Sequence, residues 1–485
     1  MVGLCLTPLN GRLPVPKLTG IQEDILSTSI HATSGHLHRS RKTFWTMIVS
    51  LALLVSSLGL PPRAVHAADP PATETPSRRS HGDLSYKALR DWIDHVRPDA
   101  KSVTPGQTLT QQDRKVLEPL IPQTAWDYYF FDGMDMEITE TGDYPAPEDW
   151  GHNVPSGYRL DEQGVLIDFK GGGYPFPDVQ ADDPQAAPKV MWNMLWRPGA
   201  EGFVMPMVTW LRSQNGQLDR RLEFTAVGSR YAQGEHCLVP GYEEVKTKQH
   251  MEFRSPRDMA GAKTLTKSYV DHYREDDGWM YMPAQRKPRR TLASERTSEL
   301  MGMDLITEDM MGFGGKVFEH TWTYLGTRKV LATMNVRDNP EAGGPHLWVP
   351  NKARWEVREA HVIQIDPKAF NHPYSHKIIF VDTETFWTLW MFGFDRQDDQ
   401  LLRMNQHFLK YTESYAYEEA MQSPYMMLDY ANNVGHRVFT HLGETTINAK
   451  KPHATYTHCF VMMREFSPGR AKQFYSLRNM VSGRR

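Results

Sequence analysis

Along most of this chain, apolar residues come in short runs separated by turn residues every ten positions or so, a pattern that predicts an antiparallel β meander from about Gly164 onward. The hairpins it predicts are specific. Trp279–Met282 turns at Pro283–Arg286 and returns. Phe318–Leu325 meets Arg328–Ala332 across a Gly326-Thr327 turn, and Ile378–Val381 meets Phe386–Phe392 across Asp382–Thr385, before a further turn at Arg396–Asp399 into Gln400–Phe408. Helical spacing predominates only early, where Leu84, Ala88, Leu89, Trp92 and Ile93 predict an amphipathic helix over 83–95. A second helical stretch is expected at 110–120 and extended pieces at 128–144.

The run Phe386–Phe392 is apolar at every alternate position on both faces. Phe386, Thr388, Trp390 and Phe392 are expected to point one way, and Trp387, Leu389 and Met391 the other. A sheet with one face in water has no use for such a strand. Both faces must be covered, by protein layers or by an apolar ligand on one side.

The first apolar run belongs to a different device. Trp45–Leu60 follows Arg39, Arg41 and Lys42 and precedes Ala64-Val65-His66-Ala67-Ala68, which is the order of a secretory signal, with cleavage near Ala67 or Ala68. The run is short for a membrane span and broken by Ser50, Ser56, Ser57 and Gly59. The polar residues ahead of it suggest a start codon further in than Met1, so 1–68 is read as leader and the product as periplasmic. Residues 69–80, rich in Pro and Ser, read as a disordered lead-in; 81–445 is expected to form the main domain and 446–485 a C-terminal extension.

Composition narrows the function further. With 55 basic against 58 acidic residues there is no positive excess for a phosphate backbone, so nucleic acid is not an expected partner. Beyond the leader only Cys237 and Cys459 remain; they either pair in an oxidising compartment or stay as buried thiols. The 25 Met and 53 aromatic residues (13 Trp, 20 Tyr, 20 Phe) suit either an ordinary β core or a pliable apolar binding site.

Motifs for chemistry are sparse. His372 and His376 stand four apart, but Pro373 argues against the helix that would align them, and no HExxH glutamate occurs. Gly171-Gly-Gly-Tyr-Pro-Phe-Pro177 lacks the ending of a phosphate loop, and no GxSxG elbow marks a hydrolase serine. No metal, cofactor or catalytic residue is expected. The cluster Arg286, Lys287, Arg289 and Arg290 is a strong local positive charge, either a solvated strand end or a contact for an anionic head group or acidic partner.

Several motifs in fixed order nevertheless resemble one family. Gly-Gly-Tyr-Pro-Phe-Pro, the Met191-Trp-Asn-Met194 helix start, Arg254-Ser-Pro-Arg257 with Gly261, Trp279–Arg290, Trp355-Glu-Val-Arg358 and His372-Pro-Tyr-Ser375 before Val381-Asp382 resemble the DUF1329 family of secreted bacterial proteins, from about Ser80 to about Leu442. That family is grouped with LolA/LolB-like lipoprotein carriers. The resemblance implies an α+β, mainly β fold: a strongly curved antiparallel sheet, an unclosed half-barrel, covered by helices and holding a hydrophobic ligand. It also implies links with outer-membrane proteins and RND-type exporters.

The expected function is therefore that of a periplasmic, non-enzymatic carrier for a lipid, acyl chain or other hydrophobic molecule. Trp279, Tyr281, Phe318, Trp322, Phe380, Trp387, Trp390 and Phe392 are the candidates for its cavity. Two alternatives stay open. One is an accessory subunit that docks on an outer-membrane protein or exporter through the basic run. The other is a hydrolase for a hydrophobic substrate, with His372, His376 and nearby acids in its site.

Overall fold

The computed structural model describes residues 82–98, 102–144, 158–169, 174–197, 202–233, 236–237, 239–292, 296–336, 340–412, 438–463 and 466–482, all within the unit Arg78–Arg485. The leader and signal run lie outside the described residues.

Mainly β structure follows from the alternating apolar runs. Sixteen strands join in one sheet. In chain order they are β1 (Thr108–Leu109), β2 (Met136–Ile138), β3 (Gly202–Ser213), β4 (Leu218–Arg230), β5 (Val245–Ser255), β6 (Lys263–Tyr269), β7 (Asp277–Tyr281), β8 (Pro288–Thr291), β9 (His320–Ala332), β10 (Ala353–Pro367), β11 (Tyr374–Asp382), β12 (Thr388–Asp395), β13 (Leu401–Thr412), β14 (Val438–Asn448), β15 (His453–Phe460) and β16 (Met462–Met463). The spatial order is β1-β2-β10-β11-β12-β13-β14-β15-β3-β4-β5-β6-β7-β8, with β9 on β10 and β16 on β3. Every pairing is antiparallel except β2 with β10.

Helices are few. α1 (Tyr86–His95) begins at Ser85, whose Oγ accepts the Ala88 N–H at 3.2 Å. It buries Leu89, Trp92 and Ile93, the stripe that the spacing predicts. α2 (Ala186–Trp196) is buried nearly all round, and Met191–Met194 lies in its middle rather than at its start. The expected helix at 110–120 is a 3-10 turn, Gln111–Asp113, running into one α turn, Arg114–Leu117. Of the stretch 128–144, only Met136–Ile138 is a strand, and Tyr128 and Tyr129 close a short helix instead.

Both halves of the sheet carry apolar side chains on two faces. On strands β9–β13, one face packs against α1 and the Trp126–Tyr129 turn through Trp355, Phe380, Trp390 and Phe392. Ile363, Ile365, Ile379 and Val381 of the other face pack against α2. On β3–β6, one cluster holds Val204, Val227, Tyr231 and Val245 against Phe466 and Tyr475 near α3 (Pro468–Phe474); a second is rich in methionine. Residues 446–485, set apart by sequence as an extension, supply β15, the strand that joins the two halves. Cys459 of β15 is buried opposite Met207.

Two sequence expectations fail through β-bulges. The segments 318–325 and 328–332 are not a hairpin. They form one strand, β9, both parts of which pair with β10, because the register shift between Tyr324 and Thr327 absorbs Gly326 (φ +95°) as a bulge. The alternation in Phe386–Phe392 also breaks. Phe380 faces Trp390 while Val381 faces Thr388, so Leu389 is the extra residue, and Leu389 and Trp390 join the same cluster. Phe386 and Met391 consequently share the α2 face, while Trp387, Trp390 and Phe392 share the other.

Candidate functional site

The sequence-predicted aromatics do not converge on one point. Phe380, Trp390 and Phe392 are fully buried in the α1 cluster, with Trp390 Nε1–H donating to Leu331 O at 3.0 Å, and Trp387 packs against the same cluster. Phe318 and Trp322 lie against the α2 cluster, where Trp322 Nε1–H donates to Val317 O at 2.8 Å. Trp279 and Tyr281 of β7 pack against the cluster of Val227 and Tyr475. The structure thus distributes the eight over three clusters.

The basic run lies at the last strand of the sheet. Trp279 faces Arg290 and Tyr281 faces Pro288 across the β7–β8 hairpin. Arg290 pairs with Asp277. Arg286, Lys287 and Arg289 are exposed and meet no carboxylate among the described residues. Charged residues on a terminal strand also keep it from pairing with another chain.

What sequence reasoning missed is a face made of methionine. Met205, Met251, Met259 and Met303 are buried beside Leu222, Phe224 and Ala226 of β4; Met207, Met282, Met301, Met310 and Met311 are partly buried against them. Nine thioether side chains, from four strands or their ends and the 296–319 connector, meet in one cluster. Met side chains are unbranched and adapt to irregular apolar shapes. The run Met301, Met303, Met310, Met311 was the only local signal. The rest come together only through strand pairing.

The connector that covers this face is held by buried charges. At its centre Glu308 Oε1 lies 3.2 Å from both His320 Nε2 and His372 Nε2. Asp309 takes the Lys377 ammonium at 2.5 Å and the Tyr374 hydroxyl at 2.5 Å. Asp304 accepts from Thr455 Oγ1 at 2.8 Å and lies 2.7 Å from His453 Nδ1. Burial raises the Glu308 carboxyl, but the two histidine hydrogen bonds outweigh it and hold the group well below its usual range. Burial and the Asp309 charge push Tyr374 well up, so its hydroxyl stays a donor.

The three ligand atoms of Glu308, His320 and His372 lie within 4.8 Å of one another, close enough to test for a metal. His320 would fit: its Nδ1–H donates to Lys316 O at 3.0 Å, and Nε2 would offer a cation its lone pair in place of the proton with which it bonds Glu308. His372 does not. Its Nδ1 accepts the Tyr374 N–H at 3.0 Å, so its proton sits on Nε2, and no lone pair remains there for a cation. These ring assignments follow from the partners. The trio is a hydrogen-bonded clamp rather than a metal centre. His372 and His376 also part company, since His376 Nδ1 lies 2.7 Å from Asp366 and its ring stacks on Tyr86 at 4.1 Å.

A large, mostly antiparallel sheet with two apolar faces and few helices among the described residues defines a mainly β protein. The family model described as "Protein of unknown function (DUF1329)" matches residues 147–470, and the chain belongs to that family. No curated protein matches the chain. Among solved structures it is similar to a putative outer membrane lipoprotein-sorting protein domain from Vibrio parahaemolyticus, at 15% identity over 62% of this chain and 100% of that one, TM-score 0.40. It is also similar to a DUF1329 family protein from Desulfovibrio piger (16% identity, 59% and 94% covered, TM-score 0.39). A LolA superfamily protein from Nitrosomonas europaea is a third (11% identity, 58% and 92% covered, TM-score 0.33). Among the described residues no helix is long and apolar enough to cross a membrane.

Proposed function

We propose that this protein is a non-enzymatic periplasmic carrier that holds a lipid, an acyl chain or another hydrophobic molecule against its sheet, in traffic directed to the outer membrane. The observation that carries the reading is the methionine face: nine methionines in one cluster, five of them only partly buried, contributed by the strands and by the connector packed against them. The half-barrel curvature belongs to the same proposal, with the methionine face as its concave side. Each methylene transferred from water to such a surface contributes about 0.8 kcal/mol, so a long chain is retained without any polar contact. The periplasmic location rests on the secretory signal in the sequence.

Trp279, Tyr281, Phe318, Trp322 and Trp387, the partly buried members of the aromatic set, remain candidates to extend the apolar wall, whereas Phe380, Trp390 and Phe392 serve as its fully buried support. The test is titration of the purified protein with a fluorescent apolar probe, comparing Met282→Asp and Met310→Asp with the parent. Probe binding that weakens severalfold in both variants supports the carrier. Unchanged binding in both folded variants, or none in the parent, overturns the methionine face as the ligand surface.

A second reading has its own support. The exposed cations Arg286, Lys287 and Arg289 stand on the terminal hairpin without carboxylate partners among the described residues, as a docking contact with an outer-membrane protein or RND-type exporter requires.

A further inference from the structure

Charge is unevenly placed on this sheet. From β3 to β8 each strand pairs with the next in chain order, so the β3–β4, β5–β6 and β7–β8 turns lie side by side at one end of the meander. Contacts tie the three together. Arg220 Nη2–H donates to Asp258 Oδ2 at 2.7 Å, joining the first turn to the second. Gly261 (φ +84°) lies so close to the third that a Cβ on it would stand 3.1 Å from the Pro283 ring.

Residues 212–223, 252–263 and 281–290, the turns with their flanking strand ends, carry three, three and four basic residues against two, two and no acidic ones, in a chain of formal net charge −3. All of them are among the described residues. The four acids are engaged already: Asp258 by Arg220, Glu223 by Arg221, Glu252 by Lys263 at 3.9 Å and Asp219 by His453 at 3.4 Å. Arg290 pairs with Asp277 further along β7. The positive excess stands on Arg254, Arg257, Arg286, Lys287 and Arg289, all exposed. The two motifs that hold them, Arg254-Ser-Pro-Arg257 and Trp279–Arg290, are separate in sequence and are joined only by strand pairing.

Cations on β8 keep a terminal strand from pairing with another chain. That does not account for Arg254 and Arg257, which stand at a turn between inner strands. A row of like charges on adjacent turns destabilises the fold by self-repulsion, and a negative surface facing it removes that cost. The methionine face reaches the same turns. Met259 of the β5–β6 turn is buried in its cluster, and Met282, where the β7–β8 turn begins, is partly buried there beside the exposed Pro283 and Ala284. Apolar face and basic rim meet at one end of the strands.

We propose that this three-turn rim docks on an anionic phospholipid bilayer and sets the end of the methionine face against it, as the place where cargo enters or leaves. The docking stands on the charge of the turns; the exchange of cargo rests on the carrier reading. At about 4.8 Å per strand, the three turns spread their cations along roughly 20 Å, a row that suits a continuous negative surface.

The test is co-sedimentation of the protein with phosphatidylglycerol-rich vesicles and with neutral phosphatidylcholine vesicles, for the parent, Arg254→Gln/Arg257→Gln and Arg286→Gln/Lys287→Gln/Arg289→Gln. The parent is expected to prefer the anionic vesicles by roughly tenfold or more and to lose that preference between about 50 and about 500 mM salt. Each charge removed is expected to weaken binding roughly fivefold, in either variant. Circular dichroism checks folding, and Arg257→Gln alone replaces the double variant should that one not fold. Equal binding to both vesicles, no binding, or a loss confined to the β7–β8 variant overturns the rim. So does a loss in Arg254→Lys/Arg257→Lys, which keeps the charge. Binding to poly-glutamate but not to anionic vesicles overturns the bilayer in favour of an acidic protein surface. Uptake of the apolar probe in solution is expected to be the same in parent and variants, while its transfer to anionic vesicles slows in both; equal transfer overturns the exchange at this end. A parent that docks on vesicles yet takes up no probe overturns the carrier and leaves the docking standing.

Discussion

At the scale of single residues, burial separates support from contact. Trp390 is fully buried, stacked near Trp355 and Phe392, with its indole N–H bonded, so Trp390→Ala is expected to cost about 3–5 kcal/mol in urea unfolding whatever the ligand does. Met310, partly buried, is expected to lose far less stability on change to Ala yet to weaken probe binding. Lys377 and Asp309 form a pair with neither partner exposed. Lys377→Met strands the Asp309 carboxylate and is expected to cost about 3–5 kcal/mol, with Asp309→Asn in the same chain recovering part of the loss; an additive double mutant contradicts the pairing. The aromatic candidates were legible in sequence as apolar strand residues, but their grouping was not. Which cluster Trp279 or Trp322 joins depends on strands far apart in the chain. The methionine face was invisible for the same reason: Met205, Met251 and Met282 are neighbours only after β3, β4, β5, β6 and β7 have paired.

At the scale of elements, hairpins with polar turns were legible and bulges were not. The β7–β8 and β11–β12 turns carry their own turn residues, so local chemistry fixes them. Gly326 reads as a turn by the same rule, yet both flanking segments satisfy their backbone groups on β10, and the long pairing outweighs the local preference. The connector 296–319 was not legible at all, because three of its anchors, His372, Tyr374 and Lys377, lie more than sixty residues further along the chain. Glu308 is held well below its ordinary value of 4.5, so its contribution is fully present above about pH 4.5 and is lost as the pH falls through the folded value. Denaturant midpoints measured from pH 7 down to 3 are expected to fall more steeply for the parent than for Glu308→Gln; parallel curves contradict the clamp. Gly312 has φ +96°, and a Cβ there would collide with the Thr388 side chain, so Gly312→Ala is expected to lift the connector from β12 and speed amide exchange around Met310–Phe313. Gly326 has open space around it but φ +95°, so Ala there is expected to cost only the left-handed backbone strain of about 1–2 kcal/mol.

At the scale of the whole molecule, sheet continuity sets what can be removed. β15 pairs with β14 on one side and β3 on the other, so a chain ending at 445 loses the strand between the halves and is expected not to fold, by circular dichroism and proteolysis. A truncated chain with a cooperative unfolding transition contradicts that role. The mainly β class and family were legible because both depend on local patterns and ordered motifs; the surface that carries function was not, because it is made by pairing. The central claim, that the methionine face carries an apolar cargo, is tested most directly by native mass spectrometry of the protein released from its own periplasm without detergent, followed by solvent extraction. A stoichiometric apolar adduct, lost from the Met282→Asp variant, is the result expected. A bare protein mass that takes up no added acyl-chain amphiphile contradicts the account.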